Sequence, residues 1–203
     1  MKMKFAKRLL AAAMCASMMV TPMTALATGG SGAASSAPAS QVQTQGKVTV
    51  GGAGITSTVT GGYVVNNVAG FAITAPVADI SSSYGLTGSD RPYVMAYDIT
   101  EKTAPKAWAS INYAAQSVGA RVIGALNVDF GKRSGGKFER LPAGAGIRAC
   151  VGIPGAVNPN LTYAVVRVLP GGSFTILPDI DSNPNTVTFD VVGGIGAYAL
   201  IAY

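Results

Sequence analysis

Residues 163–177 read YAVVRVLPGGSFTIL, two runs of β-branched and aromatic side chains on either side of a Pro-Gly-Gly turn. In the first run the apolar Ala164 and Val166 alternate with larger or polar neighbours. Alternation with a period of two is typical of a strand with one buried face, and the turn brings the second run back onto the first. The stretch predicts a β-hairpin, which the later runs around Phe189 and Leu200 can extend into a sheet.

Similar short runs recur from Lys47 onward, separated by Gly, Pro, Asn and Asp. Strands at this spacing favour antiparallel pairing, so we expect a mostly β fold, an antiparallel β-sandwich-like domain. Gly61-Gly62, Gly135-Gly136 and Asn183-Pro184-Asn185 are predicted turns. The predicted strands are Lys47–Val50, Ser57–Thr60, Tyr63–Val65, Phe71–Thr74, Tyr93–Asp98, Arg121–Phe130, Gly146–Ile153, Tyr163–Leu169, Ser173–Leu177, Thr186–Val192 and Tyr198–Tyr203.

One segment has helical periodicity instead. Its apolar residues recur at spacings of three, four and three, which places them on one face of a helix; they are Trp108, Ile111, Ala115 and Val118. Thr103 is a suitable N-cap and Gly119 a suitable terminator. The pattern predicts one α-helix at about residues 105–118, with Trp108 packed in the core. An exposed Trp108 that serves as an aromatic platform for a ligand is the alternative.

The N-terminal residues have the order of a secretory signal peptide. A basic start precedes a twelve-residue apolar stretch, residues 9–20, which is too short to span a bilayer as a helix, and Ala25-Leu26-Ala27 fits signal-peptidase cleavage. We expect residues 1–27 to be removed on export and the protein to be secreted, free or associated with the cell surface. No membrane span is predicted after signal removal.

The rest of the chain divides by composition. Residues 28–46 are almost entirely Gly, Ser, Ala, Thr, Pro and Gln, which predicts a flexible linker. Residues 47–203 are predicted to form a β-rich extracellular domain, either a single unit or two subdomains, residues 47–120 and 121–203. Cys150 is the only cysteine after residue 27, so no intramolecular disulfide is predicted, and we expect a buried, inert thiol.

Charge argues against a nucleic-acid partner. Removal of the signal peptide would leave eleven Lys and Arg against nine Asp and Glu, a net charge of +2 instead of +6. The remaining cations are scattered, whereas a nucleic-acid interface needs them clustered.

Two segments resemble ligand-binding loops. Residues 131–137 fit the G-x-x-x-x-G-K spacing of a phosphate-binding loop, but Phe138 stands where a hydroxyl should hold Mg²⁺, and no helix follows. We predict a glycine-rich hairpin turn there, with a weak anion site as the alternative. The second segment is a weak calcium candidate, because its oxygen ligands occupy positions one, three, five and twelve of a calcium loop; they are Asp179, Asp181, Asn183 and Asp190.

The calcium candidate has a plainer explanation. Pro184 stands where a calcium loop needs glycine, and Asp and Asn are also common in tight turns between strands. We therefore predict no bound metal and no cofactor. The absence of histidine removes Ser-His and Cys-His chemistry and most zinc sites, and most carboxylates fall in turns or at strand ends. We expect no catalytic residues and do not expect an enzyme.

Four stretches of the last third form a recognisable set: Gly152-Ile153-Pro154, Tyr163–Val168 with Gly171-Gly172, Asn185–Phe189 and Ala197–Tyr203. In these stretches the chain resembles the small β-module that ends internalin-repeat-type surface proteins of Gram-positive bacteria. Gly193–Gly196 departs from it, since that group usually has an aromatic residue and a Ser or Thr before the end. The chain from residue 28 also resembles short, uncharacterised secreted proteins of similar bacteria. The resemblance implies a β-sandwich at or outside the cell surface and supplies no catalytic residues.

The sequence thus favours a secreted or cell-surface-associated, non-catalytic protein with a structural or adhesive role. A carbohydrate- or cell-wall-binding module is the alternative, with exposed tyrosines such as Tyr63, Tyr84, Tyr93 or Tyr113 as candidate contacts. The expected partner is an extracellular protein or a glycan of unknown identity. Apart from these tyrosines the sequence indicates no ligand-binding residue, and it indicates no oligomeric state.

Overall fold

The computed structural model describes residues 42–203, so the predicted signal peptide and most of the predicted linker lie outside the described residues. The described chain is mostly β, as expected. The elements are β1 (Gln43–Val50), β2 (Ala53–Val64), β3 (Phe71–Ile73), α1 (Val77–Ser83), β4 (Arg91–Asp98), α2 (Pro105–Ser117), β5 (Arg121–Ser134), β6 (Lys137–Arg140), β7 (Ile147–Gly152), β8 (Tyr163–Val168), β9 (Phe174–Pro178), β10 (Thr186–Val191) and β11 (Gly194–Ala202).

The strands form two sheets. The larger has the order β1-β2-β4-β5-β11-β8-β9, with β6 added to β5, and the smaller has the order β10-β7-β3. The expectation of purely antiparallel pairing is wrong at one place, because β2 and β4 are parallel. The chain between them passes through β3 and α1, which is the kind of longer connection that a parallel pair requires. Since β4 and β11 both pair with β5, residues on either side of position 120 share one sheet and one compact unit.

The central strands of the larger sheet, β5 and β11, carry buried residues on both faces. Alternate residues of β5 and β11 belong to different buried clusters, as the period of two requires. One cluster joins the larger sheet to the smaller one and includes Val128, Phe130, Val151, Phe189, Tyr198 and Leu200. The other joins the opposite face to α2 and includes Ile111, Ala115, Ala125, Val166, Ala199 and Ile201. We call this second face, marked by Ala125, Val166 and Ala199, the helix face.

A hydroxyl group links the two sheets directly. The Ser57 side chain of β2 accepts a hydrogen bond from the backbone N–H of Ile73 in β3 at 3.1 Å. The same Oγ lies 2.7 Å from the Tyr63 hydroxyl, which donates to the carbonyl of Val59 at 2.8 Å. Ser57 and Tyr63 are both buried. The bond to Ser57 satisfies the N–H of Ile73, which lies on the edge of β3 that no strand of the smaller sheet pairs with.

Several boundaries differ from the sequence-based expectations. Strand β1 begins at Gln43, inside the predicted linker, and β11 begins at Gly194 instead of Tyr198. Gly61-Gly62 was predicted to be a turn, which is wrong, because both residues lie within β2. A Cβ on Gly61 would lie 2.1 Å from the carbonyl oxygen of Val94, so glycine is needed there for the close approach of β2 and β4. Helix α1 was not predicted, and its only buried residue is Ile80.

Candidate functional site

A cleft of about 530 Å³ opens on the helix face, beside α2. It exists because β8 ends at Val168, opposite Ala197, whereas β11 continues to Gly194 along β5. The chain beyond β8 bends away in the Pro170-Gly171-Gly172 turn, which is also where the sequence predicts a turn. The first two turns of α2 form one wall, this turn forms the other, and β5 and β11 form the floor.

Asn127 of β5 is the polar side chain on the floor. It is 9% exposed and lines the cleft. Its Nδ2 donates to the hydroxyl oxygen of Tyr97, its cross-strand partner on β4, at 3.0 Å. The Asn127 Oδ1 accepts no hydrogen bond from any of residues 42–203. This amide oxygen is not fully buried, so it is open to a donor that enters the cleft.

The first turn of α2 supplies positive charge to the wall. The predicted cap is wrong, since Ala104 is the N-cap and the Thr103 hydroxyl bonds back to Thr100. No side chain caps the helix, and its first turn holds no acidic residue. The first N–H groups of a helix lack intrahelical acceptors and carry its positive dipole end. Lys106 and Ala107 in this turn line the cleft, and within the described chain Lys106 has no ion-pair partner.

An aromatic pair joins α2 to the hairpin of β8 and β9, whose turn forms the other wall of the cleft. The rings of Tyr113 on α2 and Phe174 on β9 meet edge to face, with centroids 5.8 Å apart. Both are exposed, Tyr113 by 67% and Phe174 by 38%. Tyr113 lies three residues after Ser110, and Phe174 lies two residues after Gly172, both of which line the cleft. The pair therefore holds the β8–β9 hairpin against α2 next to the cleft.

The tyrosine candidates are dispersed. The exposure expected of Tyr63 is wrong, because its ring is buried between the sheets. Tyr84 is half-buried, with its hydroxyl donating to Ala145 O at 2.7 Å and accepting from Gly193 N at 3.1 Å. Tyr93 is half-buried beneath the Arg133 guanidinium, 4.4 Å from the ring centroid. Of the four candidates only Tyr113 is exposed.

Two other aromatic residues bear on the site. Tyr97 is 43% exposed and contacts Asn127, but it was not among the candidates. The even spacing of Tyr93 and Tyr97 along the predicted strand is a signal that could have placed both on one face. Trp108, expected in the core, is half-buried and packs against the cluster beneath α2.

An ion pair between a buried carboxylate and an exposed arginine lies on the same face as Asn127. Asp129, two residues along β5, is buried, and both of its carboxylate oxygens accept from Arg140 Nε at 2.9 and 2.8 Å. The hydrogen bond to Asp129 raises the pKa of Arg140 above its usual range. The pair fixes an exposed guanidinium in one orientation.

The segment that resembles a phosphate-binding loop is a hairpin, as predicted. Strands β5 and β6 pair around Gly135 and Gly136, whose φ values of +55° and +83° suit glycine. Lys132 lies 2.8 Å from Asp90 and 3.6 Å from Glu139. The hydrogen bond from Lys132 lowers the pKa of Asp90. This cation is therefore partly neutralised by neighbouring carboxylates.

The calcium candidate residues have other partners. Asp179 accepts from Thr188 N at 2.9 Å, and Asp181 accepts from Asn183 N at 2.8 Å and from the Thr188 hydroxyl. Asp190 lies on β10 and pairs with Arg148 at 2.9 Å. The bond from Thr188 to Asp179 occupies a backbone donor at the free edge of β10. The loop thus covers a strand edge that would otherwise be unpaired.

We expect Asp179→Ala to lower the free energy of unfolding by about 1–3 kcal/mol, because the buried Thr188 N–H would lose its acceptor. Asp179→Asn, which keeps a side-chain oxygen, should lose less. Urea unfolding followed by circular dichroism measures both. Millimolar Ca²⁺ should leave the midpoint of the unmodified protein unchanged; a rise that Asp179→Asn abolishes would restore the calcium interpretation.

Cys150 is buried in a small separate cluster with Val48 and Ala72, on the face of β7 opposite the cluster that joins the two sheets. Burial raises the pKa of its thiol to about 12, so almost no reactive thiolate forms near neutral pH. We expect the Cys150 peptide to remain unalkylated by iodoacetamide at about pH 8 in the folded protein and to react fully in guanidinium. Mass spectrometry of that peptide is the measurement, and rapid alkylation of the folded protein would contradict the burial.

Comparisons with known proteins give no family for the chain. No family model, curated protein sequence or solved structure shows significant similarity to it. Within residues 42–203 no group of three or more His, Cys, Asp or Glu is arranged to hold a metal ion. In the same part of the chain, no helix is long and apolar enough to cross a membrane. The functional interpretation therefore depends on the cleft, and the resemblance to internalin-type modules stays a prediction.

Proposed function

We propose that this chain is an exported, non-catalytic binding protein with an adhesive or structural role at or outside the cell surface. The cleft beside α2 is the site at which it holds its ligand. The signal-peptide pattern of residues 1–27 supports export, and the chemistry of the cleft supports a binding role.

The cleft is the observation that carries this proposal. Its volume of about 530 Å³ falls in the range of small-ligand sites, which are roughly 300–1,000 Å³. The polar side chains among its lining residues are those of Lys106, Ser110 and Asn127, which carry an ammonium, a hydroxyl and an amide. Among the described residues that line it there is no carboxylate, thiol or phenol. Such a set makes hydrogen bonds and charge contacts, which serve recognition.

Carbohydrate recognition is the second candidate and has its own support. Tyr97 is exposed on the helix face beside Asn127, and Tyr113 and Phe174 are exposed next to the cleft. Tyrosine presents an apolar ring together with a polar tip, a combination that matches the alternating C–H and hydroxyl surface of a sugar. An amide and a hydroxyl nearby supply the hydrogen bonds that fix its orientation.

We also infer a sandwich-like arrangement for the two sheets, with the smaller sheet packed on the face opposite the helix face. The shared buried cluster supports it, since the ring of Phe189 in β10 lies 5.7 Å from that of Tyr198 in β11. In this arrangement the smaller sheet stiffens the floor of the cleft from below. The floor would then hold its shape when a ligand binds.

The test is an array of glycans, cell-wall fragments and extracellular proteins, probed with three forms of the protein. Ser110→Trp fills the cleft from α2, and Gln116→Trp places the same bulk on an exposed position of that helix outside the cleft lining. We expect saturable binding that Ser110→Trp abolishes and Gln116→Trp retains. Binding that survives Ser110→Trp would place the site elsewhere and overturn the proposal.

A further inference from the structure

We propose that the cleft selects an anionic, polyhydroxylated ligand, a sugar carboxylate or sugar phosphate, with its anion at the first turn of α2 and a hydroxyl at Asn127. This inference rests on the proposed function of the cleft as a ligand site. It specifies the chemistry of that ligand from two groups on opposite sides of the same space.

The anion would bind where α2 begins. Lys106 and Ala107 both line the cleft, and their N–H groups belong to a turn whose donors no side chain caps. No acidic residue of that turn neutralises the dipole, and the Lys106 ammonium adds a full positive charge. Free N–H groups at a helix N-terminus bind carboxylate and phosphate well, especially with a cation beside them.

The hydroxyl would bind at the floor. Asn127 is 9% exposed, and its Nδ2 is already held by Tyr97, which fixes the amide and leaves Oδ1 in the cleft as an acceptor. This oxygen is not fully buried, and it can accept a hydrogen bond from any ligand that carries a donor. A simple anion such as acetate has no donor to offer, whereas a sugar hydroxyl does. The floor therefore discriminates against anions that carry no hydroxyl groups.

Because β8 ends opposite Ala197, part of the β11 backbone in the floor has no partner strand on that side. Ile195 and Gly196 line the cleft at the part of β11 that β8 no longer accompanies. On that side Ile195 and Gly196 have no partner in β8, so their backbone is available to a polyhydroxylated ligand. One charged group with several hydroxyls thus fits the distribution of donors and acceptors better than a neutral sugar or a bare anion.

The experiment is a titration followed by ¹⁵N chemical shifts with ligands that differ only at one carbon: glucuronate, glucose 6-phosphate and glucose. Acetate and inorganic phosphate are the anions without a sugar. We expect saturable binding of one or both anionic sugars, at least about tenfold tighter than glucose or the bare anions, with affinity falling as salt rises. The two anionic sugars distinguish a carboxylate from a phosphate preference.

Two lysine variants test whether the anion binds at the first turn of α2. Lys106→Gln should weaken binding of the anionic sugar about tenfold, because it removes a charge that faces the anion, and leave glucose unaffected. Lys102→Gln, which changes an exposed lysine outside the cleft lining, is the matched control and should bind normally. Far-ultraviolet circular dichroism checks that each variant is folded.

The outcomes are distinct. Equal affinity for glucuronate, glucose 6-phosphate and glucose, or no binding of any of them, would overturn the anionic-sugar inference. The cleft would still be the ligand site if Ser110→Trp removed binding of whichever ligand the array identifies. Binding of an anionic sugar that Lys106→Gln leaves unchanged would also overturn the inference, because the anion would then lie away from α2.

Discussion

Gly70→Ala is expected to lower the free energy of unfolding by at least about 3 kcal/mol, a loss that few single substitutions reach. Gly70 has a φ of +94°, and a Cβ there would lie 2.0 Å from the carbonyl oxygen of Lys47. Its own carbonyl accepts from Gly152 N at 3.1 Å. The residue lies where β1 approaches the smaller sheet, so the backbone cannot move aside without breaking this contact.

Gly52→Ala is the matched control for this prediction. Gly52 also has a positive φ, +78°, but nothing lies within 4 Å of a Cβ built there. The Gly52→Ala substitution should lower the free energy of unfolding by only about 1–2 kcal/mol, the cost of holding alanine in the left-handed conformation. Urea unfolding of both variants separates the steric contribution from the conformational one. Equal losses would mean that β1 does not approach Gly70 as closely as described.

Phe189→Ala is the second substitution with a large expected effect, a loss of about 3–5 kcal/mol. Phe189 is buried in β10, and its ring packs on Tyr198 of the larger sheet with centroids 5.7 Å apart. Removing it would leave a cavity between the sheets. Phe174→Ala, at a partly exposed ring, should cost less than about 1 kcal/mol. Similar losses of unfolding free energy for the two variants would contradict a buried core shared by the two sheets.

Strands in which buried and exposed residues alternate could be predicted from the sequence. The hairpin of β8 and β9 follows from the alternation of residues 163–168 and from Pro170-Gly171-Gly172. Helix α2 follows from its apolar spacing, to within one residue at its end. In these elements local pattern and burial agree, so the local signal is sufficient.

Features that depend on distant residues were not predictable. The parallel pairing of β2 with β4 has no local signal, and Gly61-Gly62 was mistaken for a turn because a close approach and a turn both favour glycine. Tyr63 has the sequence context of an exposed strand residue, but its hydroxyl is satisfied by Ser57 in a buried network. Such a network becomes visible only in three dimensions.

The cleft was missed for the same reason. Its floor combines Asn127 of β5 with residues of β11, and its walls come from α2 and the β8–β9 turn. Nothing in the sequence around Asn127 sets it apart from other asparagines. The one available signal was the uncapped start of α2, and the expectation that Thr103 caps the helix concealed it.

The most direct measurement of whether the cleft is the binding site is backbone chemical-shift mapping with the first ligand that the array or the sugar titration identifies. We predict that the largest shifts fall on Lys106, Ser110, Asn127, Gly172 and Ile195, which line the cleft. Residues of the smaller sheet should change little. Shifts concentrated on the smaller sheet or on the loop at residues 179–183, with the cleft unperturbed, would contradict the assignment of the site.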